Sequence, residues 1–485
     1  MNAGSALVDA AADANELAKL SAIELLDGYR AGRFTPRDVI EEVIAALEIT
    51  QASCNVVVTP MYELARAAAD DATAAWASGR KQGRLAGVPV TVKDLVYVAG
   101  VPASGGAPHN KDFVPTADAA AVAALKSAGA ILTCKTTTCE SGYKLTADSP
   151  VSGITRNPWN NARTSGGSSG GAAAAVAAGC GPLAIGTDGV GSIRVPSSFC
   201  GVVGLKPTFG LVPRSPGFSP PSWASLAHTG PIARTVADTA LLLEVIAAHD
   251  LRDAASLPVA PRSFDVTPGR LDGLKIGASI DLGFAAVDAD VRRAFQSATE
   301  TLAGLGADLV PDCVAFSPDM LDRILKPIAY TEQAAAVAGW ETEALAASDD
   351  DYRGVVATGR SYSGIDYLEA SYRRTALRSS FLDLFQKVDA LVTPTVAVTA
   401  FRAGTLGVDH VADVAVDRHL GWSPFSWPIN LTGLPAATIP CGFDGGGLPI
   451  GLQIVAPWLD EALILRIAAA FEGARPWVQF RPRPS

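Results

Sequence analysis

Gly166-Gly167-Ser168-Ser169-Gly170-Gly171 runs straight into Ala172-Ala173-Ala174-Ala175-Val176-Ala177-Ala178, and the strand-like Leu183-Ala184-Ile185 that follows opens on a second cluster, Gly189-Val190-Gly191-Ser192-Ile193-Arg194. The first cluster formally matches Gly-x-Ser-x-Gly, the elbow that carries the nucleophile of α/β-hydrolases. Its context refuses that reading. An elbow needs an apolar strand before the serine, and Asn157-Pro158-Trp159-Asn160-Asn161-Ala162-Arg163-Thr164 is polar and turn-rich. The cluster is instead a polar loop feeding a helix N-terminus, where free amide groups orient a hydroxyl. A flexible linker shares this composition, and a phosphate loop is the weaker reading because no Gly-Lys-Ser/Thr follows. The second cluster sits on a tight turn after a strand, where converging N–H groups make a nest suited to an oxyanion. Asp188 and Arg194 flank Ser192 and are placed to pair, either in support of the turn or as a plain structural ion pair.

Outward from these clusters, short runs rich in Val, Ile and Leu recur at residues 55–58, 88–92, 130–134, 182–186, 202–205, 274–278, 390–393, 436–439 and 451–455. Helical stretches lie between several of them, at 61–77, 119–127, 235–248, 290–305 and 461–471. This alternation predicts an α/β fold with a mixed, largely parallel central sheet covered by helices on both faces. Two helices lead the chain. Ser21-Ala22-Ile23-Glu24 is a capping box, and Thr35-Pro36-Arg37-Asp38 opens a helix whose Val39, Ile40, Val43, Ile44 and Leu47 form a one-sided stripe. Residues 314–380 break the rhythm, being helical and more charged, and read as a helical cap inserted in a single domain spanning 1–485, with Asp349-Asp350-Asp351 as a solvated turn.

Composition narrows the function classes. The 485 residues are 48% hydrophobic and 18% charged, enough apolar content for a large core. A net charge of −10 opposes attraction to nucleic acid or anionic membrane. The weakly polar run from Gly170 to Gly186 falls short of the roughly 18 strongly apolar residues of a spanning helix. With no apolar secretion segment in residues 1–20, a cytoplasmic location is expected, as a monomer or homodimer acting on a small molecule. Seven cysteines contain no Cys-x-x-Cys pair and the five histidines no His-x-x-x-His spacing, so neither a disulfide framework nor a metal site is indicated. No cofactor is expected.

Lys93 ends the apolar strand Val90-Thr91-Val92-Lys93. Such a lysine ordinarily snorkels to water; desolvated among hydroxyls, it loses its charge and becomes a usable base. Two serines and one amine can then replace the histidine and aspartate of the commoner triad as a proton relay.

Val92-Lys93-Asp94, the two glycine-serine clusters, Gly186-Thr187-Asp188, Cys200-Gly201, Gly204-Leu205-Lys206-Pro207-Thr208 and Gly230-Pro231-Ile232-Ala233-Arg234 stand in order along the chain. With Asn430-Leu431-Thr432-Gly433-Leu434-Pro435-Ala436 and Gly447-Leu448-Pro449-Ile450-Gly451-Leu452-Gln453, they together resemble the amidase signature family. The resemblance covers nearly the whole chain. It implies that Lys93 is the terminal base, Ser168 the bridging serine entered through a cis peptide bond, and Ser192, 24 positions further on, the nucleophile. It also implies an oxyanion hole from the backbone amides of Gly189, Val190, Gly191 and Ser192, with Ser169 hydrogen-bonded in the relay. Where Val190 stands the family usually has glycine. A β-branched residue tolerates left-handed backbone poorly, so either φ is negative there or the hole is reshaped.

Amide hydrolysis through an acyl-enzyme is thus the expected activity, with ester and carbamate or urethane cleavage as close chemical relatives. Tyr143, Trp159, Phe218, Trp223 and the Phe425–Trp427 stretch, with Trp427, are candidate walls for apolar or aryl substrates, or else core. The glutaminase subunit of a transfer-RNA amidotransferase shares the signature and is the alternative; a non-catalytic binding protein on the same scaffold is the alternative of another class.

Overall fold

Both N-terminal capping boxes form. Ser21 and Glu24 cap the helix Ala22–Arg30, and Thr35 and Asp38 cap the helix Pro36–Cys54, with Pro36 in its first turn. Val39, Ile40, Val43, Ile44 and Leu47 are all buried, each such side chain contributing about 1.5–3 kcal/mol relative to exposure. The computed structural model describes residues 16–80, 82–218, 225–260 and 262–482.

Eleven strands form one sheet: β1 (Val57–Pro60), β2 (Pro89–Lys93), β3 (Ile131–Thr136), β4 (Leu183–Asp188), β5 (Val203–Lys206), β6 (His228–Ala233), β7 (Lys275–Ala278), β8 (Asp308–Pro311), β9 (Ala390–Pro394), β10 (Ala436–Phe443) and β11 (Pro449–Val455). Their order is β1-β3-β2-β4-β6-β5-β10-β11-β9-β7-β8. The sheet is mixed, as expected. Parallel pairing joins β3, β2 and β4 toward one end and β9, β7 and β8 at the other. Two strands escape the sequence reading, β6 and β8. β6 carries Gly230 and Pro231 inside an inner strand, where proline is normally confined to edges, and β8 is only four residues long.

Helices cover both faces, and the period-2 alternation of the strands shows it directly. In β4, Leu183 and Ile185 enter one apolar core while Ala184 enters another; in β6, Ala233 and Ile232 divide the same way. The first core includes side chains from the helices Ala120–Ser127, Val236–Ile246 and Glu461–Ala474, the second from Ala22–Arg30, Pro36–Cys54 and Gly170–Ala178. The alanines of Gly170–Ala178 allow a close approach: a Cβ at Gly171 would lie 2.3 Å from Thr137 Oγ1. Thr137 directly follows β3, so the start of this helix, next to Ser168 and Ser169, packs at the end of that strand.

The segment read as a cap contains a short π-helical turn, Leu321–Leu325, and the helices Lys326–Ala336, Thr342–Ala346, Asp350–Ser361 and Gly364–Leu384. Asp349 is not a freely solvated turn residue. It caps Asp350–Ser361, accepts from Tyr143 Oη at 2.9 Å and Lys144 Nζ at 2.9 Å, and donates its N–H to Glu140 at 2.9 Å. Charged spacing in sequence cannot distinguish a solvated aspartate from one that pins a helix to the sheet-end loops. Among the described residues no helix is long and apolar enough to cross a membrane.

Candidate active site

Lys93 is the last residue of β2. Val90 and Val92 point into the larger apolar core, so the strand's alternation turns Lys93 the other way, toward the glycine-serine loops. Its side chain is fully buried, and its partners are hydroxyls and a carbonyl: Nζ donates to Ser168 Oγ at 2.7 Å, Ser169 Oγ at 3.0 Å, Thr187 Oγ1 at 2.8 Å and more weakly to Thr187 O at 3.4 Å. Among the described residues no carboxylate lies within ion-pairing distance of it. Burial lowers the amine to about 7, with the Cys139 and Asp188 side chains pulling weakly the other way.

The Gly167–Ser168 peptide bond is cis. Gly167 is required by proximity, since a Cβ there would fall 2.2 Å from the Thr146 backbone. Ser169 holds the neighbouring turn: its Oγ donates to Thr187 O at 3.0 Å and accepts from Thr187 N at 3.2 Å, and its N–H donates to Ser192 O at 3.1 Å. The two serine clusters are thereby joined through backbone. Ser192 Oγ is buried and makes no hydrogen bond among the described residues, while Ser168 and Ser192 line the same cavity. The amine-to-Ser168 link is thus formed, whereas no hydrogen bond joins Ser168 to Ser192, whose hydroxyl is unengaged among the described residues.

Asp188 organises the turn. Oδ1 accepts Gly191 N at 2.8 Å and Oδ2 accepts Ile193 N at 3.1 Å, and the carboxylate takes the Arg194 guanidinium on both oxygens at 3.0 Å. Burial works to raise this carboxyl, but Arg194, Lys206 and Asn430 outweigh it and hold it well below the usual carboxylate range. The support is therefore an ionised, fully bonded pair, the arrangement in which a buried charge is tolerated. Replacing Asp188 with Asn leaves Arg194 buried without a counter-charge, and urea unfolding is expected to show a loss of about 3 kcal/mol or more. A loss below about 1 kcal/mol would remove Asp188 from this role.

The expected four-amide hole is corrected at one position. Gly191 N–H is already given to Asp188, whereas the N–H groups of Gly189, Val190 and Ser192 have no acceptor among the described residues. Val190 is not among the residues with positive φ; Gly191 is, at +129°, and a Cβ there would lie 2.5 Å from Ser426 Oγ. Valine is tolerated because the left-handed torsion falls one residue later. Ser426 Oγ in turn donates to Val190 O at 2.7 Å, so the Val190–Gly191 peptide, between the Val190 and Ser192 amides, is held at both its carbonyl and its N–H.

Three supporting residues had no role assigned from sequence. Thr187 gives Lys93 a hydroxyl acceptor; Asn430 Nδ2 donates to Asp188 Oδ1 at 2.8 Å; Gln453 Oε1 accepts Arg194 Nη1 at 2.7 Å. The available signal was an uncharged polar side chain inside otherwise apolar strings, at Asn430 beside Leu431 and at Gln453 within β11.

The serines open on a cavity of about 620 Å³. Tyr143 and Phe218 line it, as expected, together with Tyr97, Phe113 and Trp340, which sequence did not single out. Tyr97 meets Phe218 edge-on at 4.9 Å and Phe113 at 5.4 Å, forming an aromatic wall. Trp340 and much of the helix Lys326–Ala336 close the opposite, cap side. Trp159 and Trp427 do not reach the cavity. Trp159 packs on Phe443 at 5.3 Å and donates to Cys200 O at 2.8 Å, and Trp427 is a buried core residue, as is Phe425. Trp223 lies outside the described residues. Among the described residues, no group of three or more His, Cys, Asp or Glu side chains is arranged to hold a metal ion.

A buried lysine amine among hydroxyls, two serines on glycine-rich turns and unclaimed backbone amides thus gather at one end of a mixed sheet. The chain belongs to the amidase signature family: the sequence pattern of the Amidase family matches residues 38–465. It is 35% identical over 471 residues to an acylamidase from Rhodococcus erythropolis, a match covering 96% of this chain and 98% of that one. It is 36% identical over 488 residues to a glutamyl-tRNA(Gln) amidotransferase subunit from a Synechococcus species, covering 94% and 97%. The crystal structure of a bacterial aryl acylamidase of the amidase signature family superposes with a TM-score of 0.88 at 29% identity, covering 95% of this chain and 97% of that chain. The chain is therefore a hydrolase acting on amide carbon–nitrogen bonds.

Proposed function

We propose that this enzyme cleaves amides of small, neutral, apolar or aryl substrates through an acyl-enzyme on Ser192. The observation that carries the reading is the Lys93 amine, without a carboxylate partner among the described residues and 2.7 Å from Ser168 Oγ, with Ser168 and an unpaired Ser192 hydroxyl lining one aromatic-walled cavity. Neutral Lys93 takes the Ser168 proton as Ser168 takes that of Ser192, whose Oγ attacks the carbonyl carbon. The N–H groups of Gly189, Val190 and Ser192 receive the oxyanion. Collapse breaks the C–N bond, and the proton returns through Ser168 to the leaving amine. Water then repeats the sequence on the ester, releasing the acid and restoring Ser192.

A carbamate presents the same carbonyl to the same groups, so urethane bonds belong to the proposed range, and esters with them. Aryl acylamidase chemistry is supported by the walls of Tyr97, Phe113, Phe218 and Tyr143. The similarity to an amidotransferase subunit favours a second reading, glutaminase action with partner chains. The net charge of −10 supports a small-molecule substrate over polyanions, and seven free cysteines support a reducing, cytoplasmic location.

A panel of chromogenic amides, esters and carbamates with matched acyl and leaving groups tests the reading. Neutral anilides are expected to be hydrolysed by the isolated chain. Hydrolysis of glutamine alone, appearing only with a co-purifying partner, would transfer the assignment to the second reading.

A further inference from the structure

Glu332 is the one carboxylate among the described residues that line the cavity. It sits on the helix Lys326–Ala336, on a wall that also includes Ala329, Tyr330, Gln333, Ala335, Ala336 and Val337. Its Oε1 is buried with no hydrogen-bond partner among the described residues, and no ion pair within bonding distance engages it there. The mechanism proposed above does not use it. An acidic side chain placed in a largely apolar wall with one oxygen unpaired is costly, and a site retains such a group where something else completes it.

The neighbouring polar groups on this wall are already committed. Tyr330 Oη is 2.7 Å from His419 Nδ1, and Gln333 Oε1 accepts the Tyr352 hydroxyl at 3.1 Å, which turns the Gln333 amide into a donor. Glu332 is thus the acceptor that this wall still offers. Its charge environment selects the donor. Burial pushes the carboxyl up to about 7, against the guanidinium groups of Arg374 and Arg214 and the Leu226 N–H, which favour the ionised form. Two guanidinium groups already act on this carboxyl, so a substrate ammonium meets repulsion where a neutral N–H or O–H does not.

We infer that Glu332 is a specificity residue that accepts a hydrogen bond from a neutral N–H or O–H donor on a substituent of the substrate, apart from the amide attacked by Ser192. The inference rests on the amidase reading above and narrows it: the preferred substrates are aryl or apolar amides carrying one such donor. Sites built to hydrogen-bond a substrate group discriminate strongly against the analogue that lacks it, because the protein partner is then left unpaired.

The test uses two matched anilide pairs, with the donor on either side of the bond to be cleaved: 4-hydroxyphenylacetyl against 4-methylphenylacetyl 4-nitroanilide, and 4-hydroxyacetanilide against 4-methylacetanilide. At least one pair is expected to favour the hydroxyl member in kcat/KM by roughly tenfold or more in the wild type. Glu332→Leu should bring that ratio within about twofold of unity, and Glu332→Gln, which keeps an acceptor oxygen, should retain part of it. A 4-aminomethyl analogue, cationic at neutral pH, should be poorer than the hydroxyl member. Equal rates within both pairs, a ratio that survives in Glu332→Leu, or preference for the cation would overturn the inference while leaving amidase activity in place. Failure of the wild type to cleave any anilide would instead overturn the reading it rests on, and the inference with it.

Discussion

Replacing Ser192 with Ala is expected to lower kcat/KM for a neutral anilide by about 10⁴-fold or more, because the proposed nucleophile is removed and the two serines on the Lys93 amine are already engaged. Ser168 is committed to the Lys93 amine and Ser169 to both Lys93 and Thr187. The same substitution should leave stability unchanged or slightly improved. Ser192 Oγ is buried without a partner, so its removal deletes an unsatisfied polar group and no hydrogen bond. This pairing of a large kinetic effect with an unaltered melting temperature separates a nucleophile from a structural serine. Ser197 Oγ, also buried and unpartnered, serves as the comparison: it lies in the helix Arg194–Cys200 and is not among the residues lining the cavity. A fluorophosphonate probe should label the wild type and not Ser192→Ala. Full turnover by Ser192→Ala, or labelling that persists in it, would remove Ser192 from the chemistry.

The candidate site was legible because its residues stand at places where local rules are strict: Lys93 at the end of an apolar run, Ser168 and Ser192 in glycine clusters that border a helix or a strand. Continuous apolar runs likewise announced nine of the eleven strands. What escaped depends on partners distant in sequence. Trp159 and Trp427 look identical to Tyr97 or Trp340 in bulk and polarity, yet only contact decides which aromatic faces the cavity. Trp159 is turned away because its indole N–H finds Cys200 O and its ring finds Phe443, contacts reaching 41 residues for the first of them. The family resemblance implies an oxyanion-hole role for the Gly191 amide, but Asp188 is three residues back and takes it. Asp349 was read from its acidic neighbours, while its position is set by Tyr143 and Lys144, more than 200 residues earlier.

Activity is expected to rise through about pH 7 and level off above it, since the relay runs from uncharged Lys93 and the buried amine is lowered to about 7. Below that value kcat/KM should fall about tenfold per pH unit, as an ever larger fraction of Lys93 is protonated and unable to accept the Ser168 proton. An unperturbed lysine would place the same limb near 10.4. The groups facing Lys93 do not titrate between pH 5 and 9: burial pushes Cys139 up to about 11, and Asp188 is held well below the usual range by Arg194. Glu332 does titrate near 7, so the profile is also measured on Glu332→Gln, where the limb should persist. The same burial makes a stability prediction that runs the same way with pH. The folded chain binds the Lys93 proton less tightly than the unfolded chain, so the penalty is fully present at and below about pH 7 and shrinks as pH rises toward the ordinary value of 10.5. Lys93→Met should therefore abolish turnover yet raise stability in urea at pH 7, by on the order of 1 kcal/mol for each tenfold weakening of proton binding, less the lost hydrogen bonds. That gain should diminish between pH 7 and 10. A limb that stays near 10, or a Met variant less stable than wild type at pH 7 and unchanged in its difference at pH 10, would mean that the amine is charged in the fold and the base lies elsewhere.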